Sequence, residues 1–242
     1  MTVFSFGRAV TRLCAGLAIV VLVAAAGPAM AQAVYKAPPG APSASVLGRQ
    51  LIVAAEAGDK NLVEKLLAMG ADIEWRDGRR RTALLAATQG NRIEVARLLI
   101  SRGADVNAKD DISDSPFLLS GARGYVEILK LTLASGADIK SLNRFGGTGL
   151  IPACERGHVE AVSMLIAAGV AVDHVNRLGW TCLLEAIILG DGGPRQVEIV
   201  RQAIAADADV NRADRDGITP LGHALQRGFA DIAAILRAKG AR

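Results

Sequence analysis

The chain has 242 residues, 51% of them apolar and 21% charged, with a formal net charge of +4; this is ample material for a core and excludes a disordered polymer. The first 31 residues carry Arg8 and Arg12 and no acid, so without them Lys plus Arg falls from 28 to 26 against 24 Asp plus Glu, a net of +2. Such a chain lacks the strong, concentrated positive charge that nucleic-acid binding needs.

From the N-terminus, Arg8 and Arg12 precede an apolar run over residues 13–26, a break at Gly27 and Pro28, and then Ala29, Met30 and Ala31. This order predicts a signal peptide over residues 1–31, cleaved after Ala31 to leave Gln32 first. The run is shorter than the roughly 20 residues of a membrane-spanning helix. The mature chain is therefore expected to be periplasmic or secreted, with no membrane insertion. Residues 32–46, with Pro38, Pro39, Gly40 and Pro42, are expected to form a disordered linker.

Beyond the linker the sequence repeats. The triplets at Thr82, Ser115, Thr148, Thr181 and Thr219 share an apolar pattern and lie 33, 33, 33 and 38 residues apart, and a step of 33 back from Thr82 reaches Arg49 and a similar apolar run. Six units result, at about 49–81, 82–114, 115–147, 148–180, 181–218 and 219–242. A second landmark follows in each, as in Gly103 Ala104 Asp105 and Gly136 Ala137 Asp138. The long fifth unit has five extra residues, 191–195, which read as a loop insertion.

Within a unit, Thr or Ser caps a first helix of about eight residues, with Pro116 and Pro220 at its first position, where no N–H is needed. Gly58, Gly124, Gly157, Gly190 and Gly228 are placed to end these helices in the left-handed conformation. A second helix follows, with apolar stripes such as Val95, Leu98 and Leu99, or Ile128, Leu129 and Leu133. One unit cannot bury its stripe alone. Small residues at Ala54, Ala87, Ser120, Ala153, Ala186 and Ala224 let neighbouring first helices approach, and each buried Leu, Ile or Val contributes roughly 1.5 to 3 kcal/mol.

Thr219 Pro220 Leu221 with Ala224, and the run Gly103 Ala104 Asp105 Val106 Asn107 Ala108, resemble the ankyrin repeat. The resemblance covers residues 47–242. It implies an all-α solenoid of six helix-turn-helix repeats joined by β-hairpin loops, acting as a protein-interaction scaffold without catalysis or cofactor. In the family the loop tips and the concave row of first helices do the binding. The chain departs from the motif where the family often has His: here stand Ile52, Leu85, Leu118, Ile151, Leu184 and Gly222, so apolar packing must replace inter-repeat hydrogen bonds.

Catalysis needs a nucleophile, a base and an orienting group that converge. His158, His174 and His223 lie on different elements and are expected to be structural, and no metal ligands gather. Glu155, Glu185 and Asp191 are expected to sit on a solvated helix face. The loops carry more signal: Trp and Arg most often anchor interfaces. The expected protein-binding residues are Trp75, Arg76, Arg79 and Arg80 in the first loop, Arg144 and Phe145 in the third, Arg177 and Trp180 in the fourth, and Arg212 and Arg215 in the fifth. The competing reading is that Arg79, Arg80 and Arg81 only solubilise and Trp180 packs against its own loop. Asp110, Asp111 and Asp114 interrupt the basic stripe, so it suits a long polyanion poorly.

The groove is expected to combine the loops with Glu56, Arg123, Glu155, Arg156 and Arg227, with residues 191–195 outside it. The expected partner is a protein, bound by a monomer. The alternatives are an envelope polyanion, lipopolysaccharide or nucleic acid, or a host protein if the chain is a secreted effector.

Finally, Cys154 and Cys182 are expected to remain separate thiols. They stand five positions apart within adjacent repeats, which places their Cα atoms about 11 to 12 Å apart. A disulfide tolerates about 4.4 to 6.8 Å.

Overall fold

The computed structural model describes residues 43–242; the expected signal peptide and residues 32–42 of the expected linker lie outside the described residues. Ser43 caps the first helix, accepting from the Val46 N–H. Residues 44–46, expected above to belong to the linker, are therefore its opening turn.

Among the described residues twelve helices follow one another in six pairs, and there is no strand. The pairs are α1 (Ala44–Ala57) with α2 (Lys60–Ala68), α3 (Ala83–Gln89) with α4 (Ile93–Ser101), and α5 (Pro116–Arg123) with α6 (Val126–Ala134). Next come α7 (Leu150–Glu155) with α8 (Val159–Ala167), α9 (Cys182–Ile188) with α10 (Pro194–Ala205), and α11 (Pro220–Gln226) with α12 (Ala230–Ala238). Each odd-numbered helix packs on the next odd one and each even-numbered helix on the next even one. The buried apolar side chains form two clusters, one with Leu51 and Leu84 and the other with Leu118, Leu150, Leu183 and Leu221.

The caps explain where the first helices begin. Thr82, Ser115, Thr181 and Thr219 each accept from the N–H three residues on, at 3.2 to 3.3 Å, satisfying a donor that the helix cannot. Thr148 does not. Gly149 is already in helical conformation at the cap position of α7, and the buried Thr148 hydroxyl has no partner. At the other end Gly58, Gly124, Gly157 and Gly228 take positive φ as expected. Gly190 does not; a Cβ there would collide with the Ala186 carbonyl and with Gln196, so close approach and not backbone handedness holds glycine at that position.

The extra residues 191–195 are only partly a loop. Pro194 and Arg195 open α10, which has 12 residues where the other second helices have nine. Proline at the first helical position loses no hydrogen bond, so the inserted chain lengthens the helix at little cost.

The connections between pairs are not β-hairpins with paired strands. Each closes on two backbone hydrogen bonds: the N–H of Asp77, Asp110, Asn143, Asn176 or Asp214 donates to the carbonyl four residues on, and its carbonyl accepts from the N–H three residues on. The same residue's Oδ1 accepts from the N–H groups two and four residues on. An Asx turn competes with a ladder for the same donors, and a loop this short has none left for a second strand pair.

Cys154 and Cys182 are joined by a disulfide, with Cα atoms 5.4 Å apart; the expectation of separate thiols is wrong. It treated residues equally distant from their repeat starts as level. Successive first helices are instead slid along one another, so the sixth residue after one start faces the first residue after the next. The preceding interface has the same register: a Cβ on Gly121 would lie 3.4 Å from the Gly149 carbonyl oxygen. Helices with axes about 10 Å apart and Cα radii of about 2.3 Å bring facing Cα atoms within disulfide reach.

Candidate functional site

The slid first helices and the loops beside them leave a cleft of about 420 Å³ on the third, fourth and fifth units. α5 contributes Leu119 and Arg123, α7 contributes Ile151, Pro152 and Glu155, followed by Arg156, and α9 contributes Glu185, followed by Leu189. The loops add Asp114, then Asn143, Arg144 and Phe145, and finally Asn176 and Leu178. Phe145, Leu178 and Leu189 are about half exposed, whereas Glu185 is 5% exposed. The cleft therefore has an apolar rim and a carboxyl floor.

Glu185 overturns the expectation of a solvated helix face. It stands four residues after Thr181, where the other first helices place Ala86, Leu119, Pro152 and His223, so its side chain turns inward toward the loop. Asn176 Nδ2 donates to its Oε1 at 2.7 Å. Burial first, and then the charge of Glu155, push its carboxyl up to about 7 from an ordinary 4.5. Asp114 is raised in the same direction, by burial and then by Asp110. Asp191, the third of those acids, is exposed in the loop before α10.

The rim arginines are committed to neighbours. Arg144 lies over the Phe145 ring at 4.7 Å and reaches Asp114 at 4.0 Å. Arg156 Nη1 donates to the Ala122 carbonyl at 2.7 Å.

Of the residues expected to form the groove, Arg123, Glu155 and Arg156 line the cleft, as do Arg144 and Phe145. Glu56 and Arg227 do not, and none of residues 191–195 does. The remaining loop residues lie elsewhere. Trp75 is half-buried against α1, where a Cβ on Gly48 would collide with its indole. Arg76 Nη1 donates to the Lys109 carbonyl at 2.7 Å and Arg177 Nη1 to the Arg144 carbonyl at 2.9 Å, lacing adjacent loops together. Arg215 lies against Gly179, Arg212 lies 3.9 Å from Asp209, and Trp180 is half-buried. Arg79 and Arg80 are exposed at the first loop, away from the cleft.

The histidines serve the scaffold. His174 Nε2 is 2.7 Å from the Gly146 carbonyl, and His223 Nε2 is 2.7 Å from Asp214 Oδ2. Burial, then Arg156 and Arg195, hold the His158 ring below its ordinary value. Among the described residues no three His, Cys, Asp or Glu side chains come together as a ligand set.

Comparison with known proteins gives one consistent picture. A family model described as ankyrin repeats (3 copies) matches residues 47–111 and 117–214. A crystallised ankyrin repeat domain from Acinetobacter baumannii AYE is 55% identical, with a TM-score of 0.77 over 79% of this chain and 98% of that one. A second crystallised ankyrin repeat protein is 36% identical, with a TM-score of 0.75 over 81% of this chain and 98% of its own. YahD of Escherichia coli (strain K12), itself named for ankyrin repeats, is 47% identical over 58 residues, which are 24% of this chain and 29% of that relative's length.

Proposed function

Because the chain belongs to the ankyrin repeat family, whose solenoids are in general protein-protein interaction modules, we propose that it binds a protein segment in the cleft over its third to fifth units. The observation that carries this reading is the clustering of exposed apolar side chains at that cleft. Phe145, Leu178 and Leu189 rim it, and Ile112, Leu142 and Val175 stand exposed on the second to fourth loops nearby. Exposed apolar side chains around a concave site are the usual mark of an interface.

The binding residues on this reading are Arg123, Arg144, Phe145, Glu155, Arg156 and Leu178. Trp75, Arg76 and Arg177 hold the loops in place. The polyanion reading is disfavoured because Arg76, Arg156 and Arg177 already donate to backbone carbonyls. The protein works as a monomeric scaffold without catalysis, in the periplasm or secreted. Two features support that compartment: the signal-like residues 1–31, and a Cys154–Cys182 bridge of the kind that persists under oxidising conditions. Among the described residues no helix is long and apolar enough to cross a membrane.

The test is capture with crosslinking from the exported fraction, using the mature chain. The partner should be retained by Arg212→Ala/Arg215→Ala and lost by Phe145→Ala/Leu178→Ala. Loss by the first variant and retention by the second would reject the cleft as the site.

A further inference from the structure

We propose that the deep end of the cleft receives a lysine or arginine side chain of an extended partner segment, held between Glu155 and Glu185, while its apolar neighbours lie on Phe145 and Leu178. This rests on the reading of the cleft as a protein-binding groove and adds the chemistry of what enters it.

Glu185 is 5% exposed yet lines the cleft. Asn176 occupies Oε1 only, and among the described residues no protein donor meets Oε2. That oxygen faces the open cleft and is free to accept from a donor that enters it.

The second step is charge. Glu155 lines the same cleft from α7 and raises the Glu185 carboxyl, while Arg156 opposes it only as the weakest influence. Arg144 is occupied by Phe145 and Asp114. α10 and α11 also pack on α9, but neither adds a charge that moves Glu185; His223 of α11 is held by Asp214. Of the cleft's arginines only Arg156 acts on Glu185, and more weakly than Glu155 does. A cation placed there meets two carboxylates and completes Oε2, whereas an anion would meet Glu155.

The third step is shape. The methylene stem of Lys or Arg crosses apolar surface while its head reaches a polar end. The half-exposed Phe145 and Leu178 above a carboxyl floor present that gradient. Cation binding also demands that Glu185 give up its proton, so affinity is coupled to pH.

Three peptides test this: acetyl-Leu-Lys-Leu-amide, its norleucine analogue and its glutamate analogue, titrated against the mature chain by calorimetry at pH 6 and pH 8. The lysine peptide should bind more tightly than the norleucine peptide at pH 8 and lose about tenfold in affinity at pH 6. Glu185→Gln, which keeps an acceptor for Asn176, should reduce the lysine peptide to the norleucine level and flatten its pH dependence. Glu155→Gln, at a more exposed site, should weaken the lysine peptide alone, and melting curves would show that both variants fold.

Equal binding of the lysine and norleucine peptides at both pH values overturns the cation anchor and leaves the apolar groove standing. Tighter binding of the glutamate peptide as pH falls also overturns it, in favour of an anionic segment. Partner capture that ignores Phe145→Ala/Leu178→Ala is a different failure, that of the groove itself.

Discussion

The second and fourth repeats share a period but differ in how they are held. In the second, Thr82 caps α3, every residue from Ala83 to Thr88 is buried, and Arg81 Nε donates to Asp77 Oδ2 at 2.8 Å beside it. In the fourth, α7 has six residues, no side-chain cap and an orphaned Thr148 hydroxyl, and Pro152 has no N–H to donate to the Thr148 carbonyl as Ala86 donates to that of Thr82. A disulfide ties this weakest first helix to α9, and the cleft opens above the pair. The cleft is thus centred on the one first helix, among those after α1, that departs from the repeat's capping pattern. A covalent bond stands in for the missing cap.

The largest break in that comparison should come from the bridge. Cys154→Ala/Cys182→Ala, or reduction, opens a 28-residue separation and should cost about 3 to 4 kcal/mol in urea unfolding. A loss below that of a single helix cap would show that α7 is held by packing alone.

The next effect is on pH. The folded Glu185 carboxyl lies at about 7 against an ordinary 4.5, so the folded state holds this proton more tightly than the unfolded one. Its contribution is complete below about pH 4.5 and is lost as pH rises through 7, at no more than about 1.4 kcal/mol per pH unit. Unfolding midpoints at pH 5 and pH 8 should differ less in Glu185→Gln than in the unaltered chain. An equal difference would place Glu185 in solvent.

Smaller effects sharpen the contrast between the two helices. Thr82→Ala should cost about 1 kcal/mol, whereas Thr148→Val should cost nothing or stabilise, since it removes a buried hydroxyl without a partner. Equal losses would mean that Thr148 caps after all. Arg80 sits at φ 60, where the third, fourth and fifth loops have Gly146, Gly179 and Gly217; Arg80→Gly should stabilise by about 0.5 to 1 kcal/mol.

The repeat itself was legible because it rests on local chemistry. Capping hydroxyls, helix-ending glycines and apolar stripes recur in register, and four caps and four glycines behave as that chemistry requires. What the sequence obscured depends on how one repeat slides on the next. That slide decides the Cys154–Cys182 bridge, and no spacing within a single repeat contains it. Residues 191–195 were half legible, since Pro194 reads equally as a loop residue and as a helix start. Glu185 carried a readable signal, being charged where neighbouring repeats have Ala86, Leu119 and Pro152. Residue type alone does not tell a loop side chain that lines the cleft, such as Arg144, from one that laces loops, such as Arg76 and Arg177, or packs on a helix, as Trp75 does.

Hydrogen exchange of the mature chain, free and with its captured partner, reads out where the partner sits. New protection is expected in α7, α9 and the loops at residues 143–147 and 176–180, with none in the loops at 77–81 and 214–218. Protection confined to those outer loops, with α7 and α9 unchanged, would contradict binding in the cleft.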